Sequence, residues 1–200
     1  MDDSDLLAAS RLPAGHRRTA ALAAWFQGLF PPGMAPVLVG GAAVELFTGG
    51  AYATGDLDFV GDVPGVVAQH LRAAGFERRG RHWVHETLRL FIELPGRVVR
   101  PASKPVRIIV GDSEVLAIAP EALLADRLAA WKFWGSSIDA ANALRLLTAL
   151  GARINPRLAA KLARELDVED ERRRLVRFVR RLGGRAPTET EMERWLKGKR

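Results

Sequence analysis

The spacing of apolar residues changes along the chain and predicts the order of its elements. Apolar residues three or four apart predict a helix over residues 16–30, which ends at a Pro-Pro-Gly sequence. Short apolar strands are predicted at 36–39 and 56–60. A helix is expected to begin directly after Gly41, and another covers 64–74. The first part of the chain therefore alternates strands with helices.

The period becomes two after Phe76 and returns to helical spacing after about Ile118. Short strands are predicted in the segments FERRG, RHWVHE, TLRLFIEL, VRIIVG and EVLAI. This pattern predicts an α+β fold, with a mixed β-sheet flanked by helices over residues 1–118. Residues 119–200 are predicted to form a helical C-terminal region, a bundle that includes one basic amphipathic helix.

Capping residues mark the ends of the predicted C-terminal helices. Ser136 or Ser137 can cap a helix that ends at Gly151, and Asn155 followed by proline can start the next one. Thr188 and Glu191 have the spacing of a capping box.

Charge is unevenly distributed. The net charge is +7, and residues 152–200 contain 15 Lys and Arg against 8 Asp and Glu, so the whole excess lies in the last quarter. Cysteine is absent, which excludes disulfides and thiolate metal ligands. The sequence has no apolar run of membrane-spanning length, and its N-terminus is acidic rather than signal-like. These features lead us to expect a cytoplasmic protein that does not bind membranes.

Two carboxylates interrupt the strand in the segment VGGAAVELFTGGAYATGDLDFVGD. Residues two apart in a strand face the same side, so Asp56 and Asp58 should point one way and Leu57 and Phe59 into the core. Adjacent carboxylates repel each other, and a hard cation such as Mg²⁺ or Mn²⁺ between them would relieve that repulsion. The alternative is that Asp56 and Asp58 flank a strand end in a glycine-rich loop, one as a turn residue and the other as a solvated charge.

A pair of glycines precedes the carboxylates, where a strand is followed at once by a helix. Gly40 and Gly41 would let the backbone approach a ligand, and the helix N-terminus would offer its N–H groups to a phosphate. The alternative is a tight turn from strand to helix without a ligand. Together with the carboxylates, the glycines predict a phosphate site beside a divalent-metal site.

These motifs resemble those of the polymerase-β-like nucleotidyltransferase superfamily, in particular its minimal and abortive-infection-type members. The shared pattern is a strand, Gly40-Gly41, a helix, and then Asp56 and Asp58 on the next strand, with Thr54 in the string TGDLDF. The resemblance implies that Asp56 and Asp58 are catalytic metal ligands. It also implies that Gly40, Gly41 and Thr54 bind a nucleoside triphosphate.

The resemblance further implies a third carboxylate on a later strand, and Glu93 in LRLFIELPG is the best match. Glu86 and Asp112 border turns and fit less well. Relatives more often have aspartate at the third position, and some have a hydroxyl residue where this chain has Ala42 and Ala43. Glu93 as a solvent-facing charge at the strand end is the alternative.

Relatives often place a basic residue that faces the triphosphate in the helix after the catalytic strands. Arg127 and Lys132 are the candidates here, and ordinary surface pairs with neighbouring acids are the alternative. Trp131 and Trp134 are interpreted as packing residues. The four histidines share no metal-binding spacing.

The segment ERRRLVRFVRRL predicts a strongly amphipathic helix with six arginines. Arg173, Arg177 and Arg180 could bind a nucleic-acid backbone such as RNA. The alternative is a solvated face partly paired with Glu169, Asp170 and Glu171.

The resemblance predicts a metal-dependent nucleotidyltransferase that moves a nucleoside monophosphate from a nucleoside triphosphate to an acceptor hydroxyl and releases pyrophosphate. An RNA end, a protein and a small molecule remain open as acceptors. The alternative is an inactive module of the same fold that binds nucleic acid or a partner protein through the arginine helix, for example a cognate toxin or antitoxin.

Overall fold

The computed structural model describes residues 3–99, 101–185 and 187–197, which form two compact units. The first unit runs to Val99 and resumes from Ser103 to Ala119; the second consists of Pro101 and Ala102 with the chain from Pro120 onward. This division lies one residue from the boundary set at 118 in the sequence. Within the described residues, no helix is both long and apolar enough to cross a membrane.

The first unit combines helices with one sheet, which confirms the α+β class. Its helices are α1 (Asp3–Arg11), α2 (His16–Gly28), α3 (Gly40–Phe47) and α4 (Gly65–Ala73). Its strands are β1 (Val37–Val39), β2 (Asp56–Val60), β3 (Glu77–Arg79), β4 (His82–His85), β5 (Leu90–Gly96), β6 (Val106–Val110) and β7 (Ser113–Ala117). The first helix, α1, was not predicted from the sequence.

The seven described strands form a mixed sheet in the order β3-β4-β5-β2-β1-β7-β6. The pairs β2–β5 and β1–β7 are parallel, and the other neighbouring pairs are antiparallel. Strands β2 and β5 are adjacent although α4, β3 and β4 separate them along the chain. The sheet therefore joins the aspartate strand to the strand that contains Glu93.

The core of the first unit lies on the apolar face of β2. Leu57 and Phe59 are buried, as predicted. Helix α2 covers this face, because the Phe26 ring lies 4.7 Å from the ring of Phe59, centroid to centroid. The opposite face of β2 is the one that holds its carboxylates.

The predicted strand TLRLFIEL begins later than expected. Residues 86–89 form the turn that joins β4 to β5, and the Arg89 N–H donates to the Glu86 carbonyl oxygen over 3.1 Å. Arg89 adopts a left-handed backbone conformation, with φ of 51°. A strand cannot include that conformation, so β5 starts at Leu90.

The second unit is helical throughout its described elements. These are α5 (Pro120–Trp134), α6 (Ser137–Leu150), a 3₁₀ turn (Gly151–Arg153), α7 (Pro156–Glu165), α8 (Glu169–Leu182) and α9 (Glu189–Lys197). Ser136 caps α6 and Asn155 caps α7 through their side-chain oxygens. The Thr188–Glu191 capping box is present as well, since the Thr188 N–H donates to Glu191 over 2.8 Å and the Glu191 N–H to Thr188 over 3.3 Å.

The prediction that both tryptophans of α5 are packing residues is right for one of them. Trp131 is buried and its ring lies 4.6 Å from that of Trp195. Trp134 is 82% exposed. It is the last residue of α5 and follows Trp131, which is the last buried residue of that helix.

A carboxylate at the start of α8 holds two of the basic helix's arginines. Glu169 accepts from Arg172 Nε over 2.6 Å and from Arg173 Nε over 2.9 Å. The bond from Arg172, followed by that from Arg173, lowers the pKa of Glu169 from 4.5 to about 2. The negative charge also lies at the positive end of the helix.

We expect Glu169→Gln to lower the free energy of unfolding at pH 7 by about 1–2 kcal/mol, after allowance for solvent screening. A lowered carboxyl pKa stabilises the folded state above pH 4.5, and that contribution disappears as the pH falls towards 2. Urea unfolding at several pH values would measure it, with the exposed Glu165→Gln as control. A difference between variant and wild type that stayed constant down to pH 2 would contradict this account.

Candidate active site

Asp56 and Asp58 project from the face of β2 that lies opposite the core. Burial alternates along the strand, with Asp56 exposed, Asp58 half-buried, and Leu57 and Phe59 buried. The two carboxylates therefore share one face, as the spacing predicted.

Strand β5 brings Glu93 to the same face. In the parallel register Asp58 is the partner of Glu93, Asp56 of Phe91, and Leu57 of Ile92. Leu57 and Ile92 are both buried, so the alternate residues of the two strands face away from the core together. The structure thus places the three predicted carboxylates on one face of two neighbouring strands.

Glu93 has basic partners that the sequence pattern did not reveal. Its carboxylate accepts from Arg81 Nε over 2.7 Å and lies 3.4 Å from His82 Nε2. His82 is opposite Glu93 in the antiparallel pairing of β4 with β5. The sequence pattern does not give this register, and the separation of Glu93 from His82 along the chain does not reveal their contact. The Glu93 side chain is consequently only 22% exposed.

Gly40 begins α3 directly beside Asp58. It has a φ of 65°, and a Cβ added to it would lie 2.9 Å from Cγ of Asp58. The residue before it, Val39, caps the helix without a side-chain hydrogen bond. Only glycine leaves room here for the carboxylate, so the Gly-Gly pair and the aspartate strand form one local arrangement.

Gly41 lies under the loop that leads into β2. A Cβ on Gly41 would come within 3.1 Å of Tyr52 Cε1 and 3.2 Å of Thr54 Oγ1. Thr54 Oγ1 in turn accepts from the Asp56 N–H over 3.4 Å. The structure therefore brings Gly41, Thr54 and the first aspartate together.

Glu45 is a buried carboxylate of α3 that the sequence reading did not select. It is 1% exposed, accepts from the Thr19 hydroxyl over 3.0 Å, and accepts from the Thr54 N–H over 3.4 Å. Its contacts hold the loop before Asp56 against α2 and α3. Glu45 is the one charged residue in the otherwise apolar run AAVELF, and this could have indicated its role. A carboxylate buried in such a run needs hydrogen-bonding partners.

The donor set fits a magnesium ion bound by two carboxylates. Within the described residues, no group of three or more His, Asp or Glu side chains is arranged to hold a metal. Magnesium commonly takes one or two carboxylates and completes its shell with water and substrate phosphates. Asp56 and Asp58 are the candidates for that pair, and Glu93 contacts Arg81.

The two predicted triphosphate-binding cations of α5 have acidic partners inside the helical unit. Arg127 contacts Asp126 at 2.5 Å and Asp139 at 2.6 Å, and Lys132 contacts Asp167 at 2.9 Å. The hydrogen bond to Asp167 raises the pKa of Lys132. These contacts match the alternative of local ion pairs, and a role for either residue towards nucleotide stays a prediction.

The arginines of α8 fall into two groups. Arg172 and Arg173 are held by Glu169, and Arg174 donates to the Trp195 carbonyl oxygen and lies 5.2 Å from the Trp131 ring. Arg177 and Arg180 are exposed, and within the described residues neither makes an ion pair. Of the three predicted nucleic-acid contacts, Arg173 is therefore partly neutralised.

Comparisons with protein-family models, with curated proteins and with solved structures find no match for this chain.

Proposed function

We propose that this chain is a metal-dependent nucleotidyltransferase of the polymerase-β-like type. The observation that supports it best is the shared face of Asp56, Asp58 and Glu93, with Asp58 against Gly40 at the start of α3. The sequence resemblance rests on the same residues. The proposed substrates are a nucleoside triphosphate and an acceptor that bears a hydroxyl group.

In the proposed reaction the acceptor oxygen forms a bond to the α-phosphorus, and the bond from that phosphorus to the β-phosphate bridging oxygen breaks. Pyrophosphate leaves with the bridging oxygen. Gly40, Gly41 and the free N–H groups at the start of α3 hold the β- and γ-phosphates. Asp56 and Asp58 hold magnesium, which when bound stabilises negative charge on the attacking and leaving oxygens.

Glu93 is our candidate for the group that takes the acceptor's hydroxyl proton, and it could act as a third metal ligand only after leaving Arg81. Its contact with Arg81 fixes the orientation of the carboxylate. Thr54 positions Asp56 through the bond from the Asp56 N–H to its hydroxyl oxygen.

The alternative function is nucleic-acid binding through α8. It has less support, because Glu169 and Trp195 occupy three of the six arginines. Such a module would be insensitive to neutralisation of Asp56 and Asp58. It would lose affinity when Arg173, Arg177 and Arg180 are replaced.

Thermal unfolding with each of the four nucleoside triphosphates, with and without Mg²⁺ or Mn²⁺, tests the proposal. A ligand at 100 times its dissociation constant adds about 2.7 kcal/mol of stability. That corresponds to a rise of roughly 5–10 °C in Tm for a chain of this size. We expect a metal-dependent rise in the wild type that is absent from the Asp56→Asn/Asp58→Asn variant.

The matched control is Asp112→Asn, which removes an exposed carboxylate from the turn between β6 and β7. It should retain the full metal-dependent rise. If the wild type shows no rise with any nucleotide, the proposal fails and the arginines of α8 become the better candidates.

A further inference from the structure

A cavity lies at the edge of the sheet where the parallel strands β2 and β5 begin. Its volume is about 190 Å³. The start of α2 forms one wall, and the first residues of the two strands form the other. Arg18, Thr54, Asp56 and Arg89 are among its lining residues. The cavity therefore adjoins the candidate active site through Thr54 and Asp56.

Arg18 is an unusual residue for its place in the helix. It is the third residue of α2, whose first turn contains no acidic residue and whose N-cap, Gly15, makes no side-chain hydrogen bond. A cation near a helix N-terminus is electrostatically unfavourable, because that end already has a partial positive charge. An anion in the cavity would offset that cost.

Arg89 is unusual for its backbone. It occupies the last position of the turn between β4 and β5 with a φ of 51°, a conformation for which glycine or asparagine is the ordinary choice. Residues held in sparsely populated backbone conformations are often found at functional sites. Here it places an arginine at the wall of the same cavity as Arg18.

Neither guanidinium has an acidic partner among the residues that the structure describes. In the part of the chain that the structure describes, neither the half-buried Arg18 nor the exposed Arg89 forms an ion pair within 4.0 Å or a side-chain hydrogen bond, whereas four other arginines of this unit form ion pairs. Two cations in locally unfavourable positions thus line one cavity, where Asp56 is the neighbouring carboxylate.

We propose that this cavity binds a phosphoryl group of the acceptor substrate, an inference that rests on the proposed nucleotidyl transfer. Two guanidinium groups match the several oxygens of a phosphoryl group, and the N–H groups at the start of α2 add further donors. The volume is below the 300 Å³ or more of sites that enclose a whole small molecule. The rest of the acceptor therefore extends out of the cavity past Asp56, which places its hydroxyl near the carboxylate face.

Calorimetric titration of the full chain with inorganic phosphate, ribose 5-phosphate, ribose and the dinucleotide UpU tests this assignment. We expect binding of the phosphorylated compounds but not of ribose, and at least about a tenfold loss of affinity in Arg18→Gln and in Arg89→Gln. Tighter binding of ribose 5-phosphate would indicate a small phosphorylated acceptor. Tighter binding of UpU would indicate a nucleic-acid end.

The matched control is Arg17→Gln, which removes an exposed arginine from the same turn of α2 outside the cavity lining. Its affinity for phosphate should equal that of the wild type. Arg89→Gly is the folding control, because it should bind phosphate weakly yet have a higher Tm once the strain at this position is relieved. Equal losses in Arg17→Gln and Arg18→Gln, or no binding of any phosphorylated compound, would overturn the proposal.

The metal-dependent Tm rise with nucleoside triphosphate separates this proposal from the proposed function. Arg18→Gln and Arg89→Gln should retain that rise. If the rise is present while phosphate does not bind, the acceptor cavity is refuted and the proposed transfer stands. If phosphate binds through Arg18 and Arg89 but no nucleotide stabilises the chain, the assignment to an acceptor is wrong.

Discussion

Asparagine in place of Asp58 is expected to lower the rate of nucleotide transfer by at least about a thousandfold, or roughly 4 kcal/mol of transition-state stabilisation. The substitution removes the carboxylate charge but keeps nearly the same shape. Asp58 is the register partner of Glu93 in the pairing of β2 with β5, and it also lies against Gly40. No other predicted ligand has both neighbours, so its charge should matter most.

Release of pyrophosphate from the stabilising nucleotide, with pooled RNA or phosphorylated small molecules as acceptors, would measure this loss. The circular dichroism spectrum and Tm of Asp58→Asn without ligands should stay close to those of the wild type, since the side chain is half-buried on a solvent-facing side of the sheet. Asp112→Asn should release pyrophosphate at the wild-type rate. Wild-type release by a folded Asp58→Asn protein would refute the role of Asp58.

The sequence predicted the aspartate strand well because the relevant signal is local. Alternation in DLDFV separates Asp56 and Asp58 from Leu57 and Phe59 whatever the rest of the chain does, and the structure has this alternation. A cap at Ser136 or Ser137 and one at Asn155 were predicted for the same reason, since a capping side chain bonds to N–H groups two or three residues on, as Ser136 and Asn155 do.

The contacts of Glu93 could not be predicted in this way. Its partners Arg81 and His82 follow from the register of β4 against β5, which period-two patterns alone do not fix. The position of Arg89 has a similar origin. A strand was predicted through it, but the hairpin turn requires a left-handed residue there, and the sequence offers no glycine or asparagine as a sign.

The burial of Glu45 and the exposure of Trp134 show where residue type misleads. A carboxylate is usually exposed, yet Glu45 is buried because Thr19 and the Thr54 N–H satisfy it. Tryptophan usually packs, yet Trp134 comes after the last buried position of α5. Both outcomes depend on tertiary neighbours, and the sequence does not name those neighbours.

Alanine in place of Gly40 is expected to lower the free energy of unfolding by about 3 kcal/mol and to abolish metal-dependent stabilisation by nucleotide. A residue with a side chain at a φ of 65° costs roughly 1–2 kcal/mol. The added Cβ would also lie 2.9 Å from Cγ of Asp58, and such overpacking costs about 1–3 kcal/mol. Because the added Cβ would overlap the Asp58 side chain, Asp58 must move away from the start of α3.

Urea unfolding and the nucleotide-dependent Tm rise would measure both effects. Gly55→Ala is the matched control, because Gly55 lies in the same segment, has no atoms within 4 Å of an added Cβ, and lacks a positive φ. It should change the free energy of unfolding by less than about 1 kcal/mol. In an Asp58→Ala background, Gly40→Ala should cost less, because the closest atoms of the aspartate are gone. If the cost is undiminished there, the backbone conformation alone requires glycine at position 40. The close approach of Asp58 would then not contribute to that requirement.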